Sequence, residues 1–206
     1  MLSPVLAARF PTTNPGMERG LLVDSQSSTE LLGGPPATDP EAIEVVRWLR
    51  ANLRITHVQQ RVELLDEGGA LVTAGTPDFV GLDTWNETLI VVDAKKRMQW
   101  DIGKIPPPDE SLQLHAYCLA HARGKYKRYR AAYLLFGDGE VEPVWSREYG
   151  PDDWAPMYDR IVAIRARISQ QQETGSALSG DATKDQDPPP TSGGHCSDCY
   201  ARIHCP

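Results

Sequence analysis

Apolar and polar positions along the chain fall into segments of two periods. Ile43, Val46, Leu49 and Leu53 recur at helical spacing behind Asp39 and Pro40, an N-cap followed by proline at the first helical position, and predict a helix from Glu41 to Leu53. Val58 to Leu65 (VQQRVELL) alternates imperfectly and predicts a strand, with Asp66 to Ala70 (DEGGA) as its turn. Two apolar runs follow, Thr76 to Leu82 and Leu89 to Val92. The Asp, Asn and Thr residues between them favour a turn, so the runs predict an antiparallel hairpin. Met98 to Pro108 holds a proline triple and predicts extended backbone, a flap ending at Asp109, the candidate cap of a helix over Glu110 to Ala122 (ESLQLHAYCLAHA). Tyr129 to Phe136 (YRAAYLLF) reads as a buried strand that turns at Gly137 to Glu140 into a partner, Val141 to Trp145. After Gly150 and Pro151, residues Trp154, Tyr158, Ile161, Val162, Ile164 and Ile168 give a long helix its apolar face, with Pro156 in its first turns. Helix, three strands, helix, two strands, helix is the order of an α/β domain with a central mixed sheet flanked by helices.

Either side of that pattern the composition changes. Residues 1 to 40 are rich in Pro, Gly, Ser and Thr and predict a loosely ordered arm; the periodic domain spans residues 41 to 169. Residues 170 to 194 read as a flexible linker, and residues 195 to 206 (HCSDCYARIHCP) as a cysteine-rich tail. A length of 206 residues suits one domain with a proper core. No apolar run approaches the roughly 18 to 20 residues a membrane helix needs, and the first residues lack the charged flank of a signal peptide, so a cytoplasmic protein without membrane contact is expected. The net charge of −7 weighs against a nucleic-acid partner, yet Arg123 to Arg130 (RGKYKRYR) carries five bases in eight residues and offers a basic patch.

The candidate chemistry sits on the central hairpin. Asp78 lies in one run and Asp93 closes the other, and strand alternation puts Lys95 on the same face as Asp93. Two carboxylates and an ammonium that converge can hold a hard divalent cation while the lysine orients or activates a water. Glu44 on the first helix, and Gln60, Glu63 or His57 near the first strand, are further candidates for the same site. Gln113 and Tyr117, four residues apart, share one face of their helix. Cys196, Cys199 and Cys205 cluster in the tail, as thiolates that bind zinc or an iron–sulfur cluster do. Cys118 is a candidate fourth ligand or else a small buried apolar residue, and His195 and His204 offer a Cys3His alternative.

Pro77-Asp78, Asp93-Ala94-Lys95 and Gln113 to Tyr117 (QLHAY), in that order, resemble the PD-(D/E)XK nuclease superfamily, and within it the RecB-like branch with its QxxxY helix. GTPDFVG, VVDAKKR and ESLQLHAYCLA look like the patterns of phage-encoded members, and the terminal C-x2-C-x5-C resembles that of iron–sulfur-bearing nucleases. The resemblance implies a restriction-endonuclease-like core and a Mg²⁺- or Mn²⁺-dependent DNA nuclease, an exonuclease in recombination or repair of phage or mobile-element DNA. It implies that Asp78, Asp93 and the Ala94 carbonyl bind the metal and that Lys95 positions water or stabilises transition-state charge. Gln113 and Tyr117 would contact DNA or steady the site, with Glu44 as the helix acid. A 4Fe-4S cluster or Zn²⁺ at the cysteines and a recombination or helicase partner are implied with it. The competing expectation is a non-catalytic nucleic-acid or protein-binding module that keeps the nuclease fold. The second acid is Asp93 rather than the commoner glutamate, and no cysteine precedes Cys118, where iron–sulfur members place their first.

Overall fold

Local capping and tertiary contacts share the work of setting the helices. In the computed structural model, which describes residues 15–178 apart from residues 86, 99–102, 104, 123 and 124, helix α1 spans Pro15–Leu31 and helix α2 spans Pro40–Asn52. Asp39 caps α2 as its sequence predicts: its carboxylate accepts from the main-chain N–H of Glu41 at 2.9 Å and of Ala42 at 3.3 Å, and Pro40 takes the first helical position. The buried face is Ala42, Val45, Val46 and Leu49, with Ile43 turned outward, and Leu53 leaves the helix to begin a strand.

Helix α1 corrects the expectation of a loosely ordered arm. Its serines, threonine and glycine argue little for a helix, and what fixes it is contact with α2 and the sheet. Val23 is fully buried in the core. Arg19 pairs with Asp39 and, at 3.0 Å, with Glu41, while Gln26 accepts from the N–H groups of Thr38 and Asp39. Glu30 accepts from the Ala37 N–H at 2.8 Å and pairs with Arg50 at 2.6 Å.

The strand expected over Val58 to Leu65 divides. Strand β1, Leu53–Val58, joins the main sheet, whereas β2, Val62–Leu65, pairs with β3, Leu71–Gly75, in a separate two-stranded hairpin. The break falls at Gln59, whose φ of 46° turns the chain out of the sheet. Strands β4, Phe79–Asp83, and β5, Leu89–Lys96, form the expected antiparallel hairpin. Helix α3, Leu112–Ala122, then crosses to β6, Tyr129–Gly137, which runs parallel to β5, and β7, Glu140–Trp145, closes the edge. The five strands lie in the order β1-β4-β5-β6-β7, a mixed sheet.

Alternation sends two sets of side chains to opposite faces. Phe79, Ile90, Val92, Ala132, Leu134 and Phe136 pack with Val23, Val45 and Leu49 under α1 and α2. On the other face α3 lies over β5 and β6 and against the β2–β3 hairpin. Ser111, not Asp109, stands ahead of α3, its Oγ accepting from the Leu114 N–H at 3.4 Å. Asp109 instead accepts from the Arg147 N–H at 2.9 Å and the Tyr149 hydroxyl at 2.8 Å, pinning the segment before α3 to the one after β7.

The chain divides into two units after Trp154. The first carries the sheet and everything below. The second begins within helix α4, Pro151–Leu178, which continues past Gln170, where a linker was expected; Pro156 lies inside the helix, beyond its first turn, where it has no N–H for the carbonyl four residues back. The rest of the expected linker and the tail with Cys196, Cys199 and Cys205 lie outside the described residues. Among the described residues no helix is long and apolar enough to cross a membrane.

Candidate active site

Register brings the two central acids together. Phe79 faces Val92 across the β4–β5 pair, so Asp78, just ahead of β4, stands beside Asp93 near the end of β5. The Ala94 N–H donates to Asp78 Oδ2 at 2.7 Å, which ties the first acid to the strand that carries the second. Lys95 shares a face with Asp93, and its Nζ lies 2.7 Å from Asp93 Oδ2.

Burial and the negative charges of Asp93 and Asp24 push the Asp78 carboxyl well above the ordinary carboxylate range, against the opposing pull of Lys95 and the Ala94 N–H. Burial by itself would lower Lys95, but Asp93 and Asp78 outweigh it and hold the ammonium above its ordinary range. With no cation bound, Lys95 is therefore positively charged at neutral pH.

Asp24 is a further acid near Asp78 and Asp93, one that the sequence did not single out. It rises from α1, where its Oδ2 accepts from Gln59 Nε2 at 2.6 Å, and its Oδ1 is buried with no hydrogen-bond partner among the described residues. Burial raises its carboxyl, the Gln59 amide opposes that, and the charge of Asp93 adds to it. Its signal was faint: one acid in a stretch whose composition spoke for disorder. Glu44, expected in this role, is instead held by Arg47 at 2.6 Å on the same helix.

Gln113 and Tyr117 reach the site from α3, with Gln113 Nε2 donating to the Tyr117 hydroxyl at 2.8 Å. Burial raises the Tyr117 phenol, the Gln113 amide opposes, and the charges of Asp93 and Asp78 add to the rise, so the hydroxyl stays protonated. Gly75 makes room for it: a Cβ there would overlap the Tyr117 ring and hydroxyl. Tyr133 faces Asp93 across the parallel β5–β6 pair and is another neighbour the sequence did not single out.

Other candidates have structural partners. Glu63 pairs with Arg61 at 3.4 Å. Gln60 is exposed. Cys118 is fully buried, its Sγ 3.8 Å from the Arg130 carbonyl, and burial pushes the thiol up, as befits a small apolar residue rather than a ligand offered to the tail. The basic run lies at the start of β6, the end of the sheet away from Asp93. There Arg128 pairs with Glu148 at 3.0 Å, and Arg130 stacks 4.6 Å over Trp145 and donates to the Ser146 carbonyl, so part of this charge is structural.

His57 stacks on His121 of α3 at 4.9 Å. His121 Nε2 is buried with no hydrogen-bond partner among the described residues, and burial, helped by His57 and Lys125, pulls its pKa down to about 4. The folded protein thus holds His121 neutral where the unfolded chain protonates it near 6.5. Its contribution to stability is complete above pH 6.5 and is lost as the pH falls through about 4. We expect urea midpoints to fall between pH 6.5 and 4 and a His121→Gln variant to show a shallower fall; equal slopes would remove His121 as the cause.

The arrangement is a five-stranded mixed sheet carrying acids and a lysine at one strand end, with helices on both faces. The chain matches the PD-(D/E)XK nuclease superfamily over residues 36–206 and belongs to it. Its sheet and flanking helices are the restriction-endonuclease-like architecture. Nucleases of this superfamily hydrolyse phosphodiesters with divalent metals, typically Mg²⁺ or Mn²⁺. The chain is similar to the crystal structure of an alkaline exonuclease, LHK-Exo, from Laribacter hongkongensis, at 14% identity and a TM-score of 0.40, over 82% of this chain and 88% of that one. It is also similar to the crystal structure of SSO0001, at 14% identity and a TM-score of 0.33, over 94% and 98%. No curated protein matches it.

Proposed function

We propose that the chain is a divalent-metal-dependent DNA nuclease, an exonuclease of recombination or repair acting on phage or mobile-element DNA. The observation that carries this reading is the convergence of Asp78, Asp93 and Lys95 at one end of the hairpin, with Gln113 and Tyr117 beside them. Among the described residues no three His, Cys, Asp or Glu side chains come together as a group that could hold a metal ion. The donor set nevertheless suits a hard cation, which favours oxygen ligands and keeps part of its shell for water and substrate phosphate. Acids that raise one another's pKa, and a partly buried Asp24 carboxylate eased among the described residues by Gln59, Ser28 and the charge of Lys95, are what such a cation relieves.

Asp78, Asp93 and the Ala94 carbonyl would hold the cation. When bound, it would neutralise charge on the scissile phosphate and supply Lewis-acid activation of the attacking water. Lys95, kept protonated by its acids, places positive charge where the phosphorane becomes more negative, and acts by electrostatics and by orienting the nucleophile. Tyr117, neutral and braced by Gln113, donates a hydrogen bond to a backbone oxygen of the nucleic acid or fixes the edge of the site. The RecB-like assignment rests on this Gln113 and Tyr117 pair.

Linear and circular DNA, single- and double-stranded, incubated with the protein and Mg²⁺ provide the test. We expect release of nucleotides from linear duplex that EDTA stops and that Asp93→Ala abolishes. Equal inertness of wild type and variant on every substrate would leave a binding module in place of the enzyme.

A further inference from the structure

We propose that Gln59 is a positioning residue for the acids of this site: it holds the α1 carboxylate Asp24 beside Asp78 and Asp93 and thereby sets how tightly the protein takes a divalent cation. The cation part rests on the function proposed above. Asp24 lies ahead of residue 36, where the family match begins, so membership of the superfamily does not assign this contact.

Gln59 reaches the main chain of Asp78 and the carboxylate of Asp24 through two different groups. Its main-chain N–H donates to the Asp78 carbonyl at 2.9 Å, and its side-chain Nε2 donates to Asp24 Oδ2 at 2.6 Å, 35 residues away in sequence. It does so from an unusual backbone. A φ of 46° is left-handed, a region that residues other than glycine enter at a cost of about 1 kcal/mol or more. An exposed glutamine has no need of that conformation for its own hydration. Here the turn directs the chain out of β1 at the level of Asp78, whose neighbour Phe79 pairs with Val58, and aims the amide at α1.

The chemistry of an amide suits the place. Asp24 faces Asp93 in a partly buried setting, and like charges in that setting push α1 away from the sheet. An arginine or lysine at position 59 would hold Asp24 by cancelling its charge, weakening the negative field that attracts a cation. A glutamine supplies the hydrogen bond and leaves the charge in place, so that the carboxylate is oriented and still available through Oδ1. Residues that orient metal-facing groups in this way typically govern affinity by about 10-fold to 100-fold.

The test measures Mn²⁺ binding to DNA-free protein by electron paramagnetic resonance for wild type, Gln59→Ala, Gln59→Gly, Asp24→Asn and the double variant Gln59→Ala with Asp24→Asn. We expect Gln59→Ala and Asp24→Asn each to weaken Mn²⁺ by roughly 10-fold, and the double variant to bind no more weakly than Asp24→Asn alone, because both changes remove one interaction. Gln59→Gly accepts the left-handed backbone and guards against misfolding. It should lose Mn²⁺ affinity like Gln59→Ala while its thermal midpoint stays at or above that of wild type. Wild-type Mn²⁺ affinity in Gln59→Gly, losses that add in the double variant, or a wild-type protein that takes no Mn²⁺ would each overturn the proposal. Cleavage assays run in parallel separate its fate from that of the nuclease reading. A wild type inert on DNA whose Mn²⁺ affinity still follows Gln59 and Asp24 supports the positioning role while refuting the activity.

Discussion

Lys95→Met abolishes DNA cleavage, lowering kcat by at least about 10²–10³-fold, yet leaves Mn²⁺ binding intact or tighter. The two effects separate because Lys95 and a cation compete for the same negative field. Its Nζ sits 2.7 Å from Asp93 Oδ2, and its charge also bears on Asp78 and Asp24. Methionine keeps much of the apolar stem and removes only the ammonium, so the acids lose their shared counter-charge. In metal-free buffer the variant should unfold at lower temperature than wild type, and Mn²⁺ should restore the difference by binding the folded state. Single-turnover cleavage, Mn²⁺ titration and thermal melts with and without the ion check the three parts. A variant that cleaves at the wild-type rate ends any transition-state role for Lys95, and one that loses Mn²⁺ together with activity makes it a structural partner of the metal ligands.

Asp78→Asn has the opposite effect on the fold and a comparable effect on activity. The asparagine carbonyl oxygen can still accept from the Ala94 N–H, so the tie between β4 and β5 survives. What goes is a negative charge among neighbours of the same sign, Asp93 and Asp24, in a setting where burial already disfavours ionisation. The metal-free variant should melt about 2–4 °C higher than wild type, the shift expected of about 1 kcal/mol in a chain of this size. Cleavage should fall by about 10³-fold with the loss of a ligand, a trade of function against stability common at catalytic sites. Differential scanning calorimetry beside the nuclease assay decides it: a lower melting temperature would mean that the Asp78 carboxylate stabilises the fold.

Where sequence and structure agree, the determinants are local. Asp78, Asp93 and Lys95 meet because a short hairpin fixes register and strand alternation fixes side, and both can be read from the one consecutive stretch of residues 78–95. Gln113 and Tyr117 meet because four residues are one helical turn. Asp39 starts a helix by accepting from its first N–H groups, and Pro40 has no N–H there to leave unpaired.

Where they part, a distant partner decides. Nothing near Asp24 announces a helix, since α1 owes its order to Asp39, Glu41, Thr38 and Ala37, all on or beside the next helix. Glu44 had the right chemistry but pairs with Arg47, three residues on along its own helix. Asp109 had the spacing of a cap and went instead to Tyr149 and Arg147, across 40 and 38 residues. The turn at Gln59 interrupts a stretch whose residues alone read as one strand, because its two contacts, to Asp78 and Asp24, belong to the tertiary structure.

Arg19 carries a practical consequence. It is bonded to Asp39 and Glu41, the residues that begin α2, so the first turn of one helix is wired to the start of the other, while Val23 fills the core and Asp24 looks into the acids. The family match begins at residue 36. The border of the family match and the border of the folded unit therefore differ: a protein trimmed to residues 36–206 would keep Asp78, Asp93, Lys95, Gln113 and Tyr117 and lose the helix that fills the core with Val23 and carries Asp24.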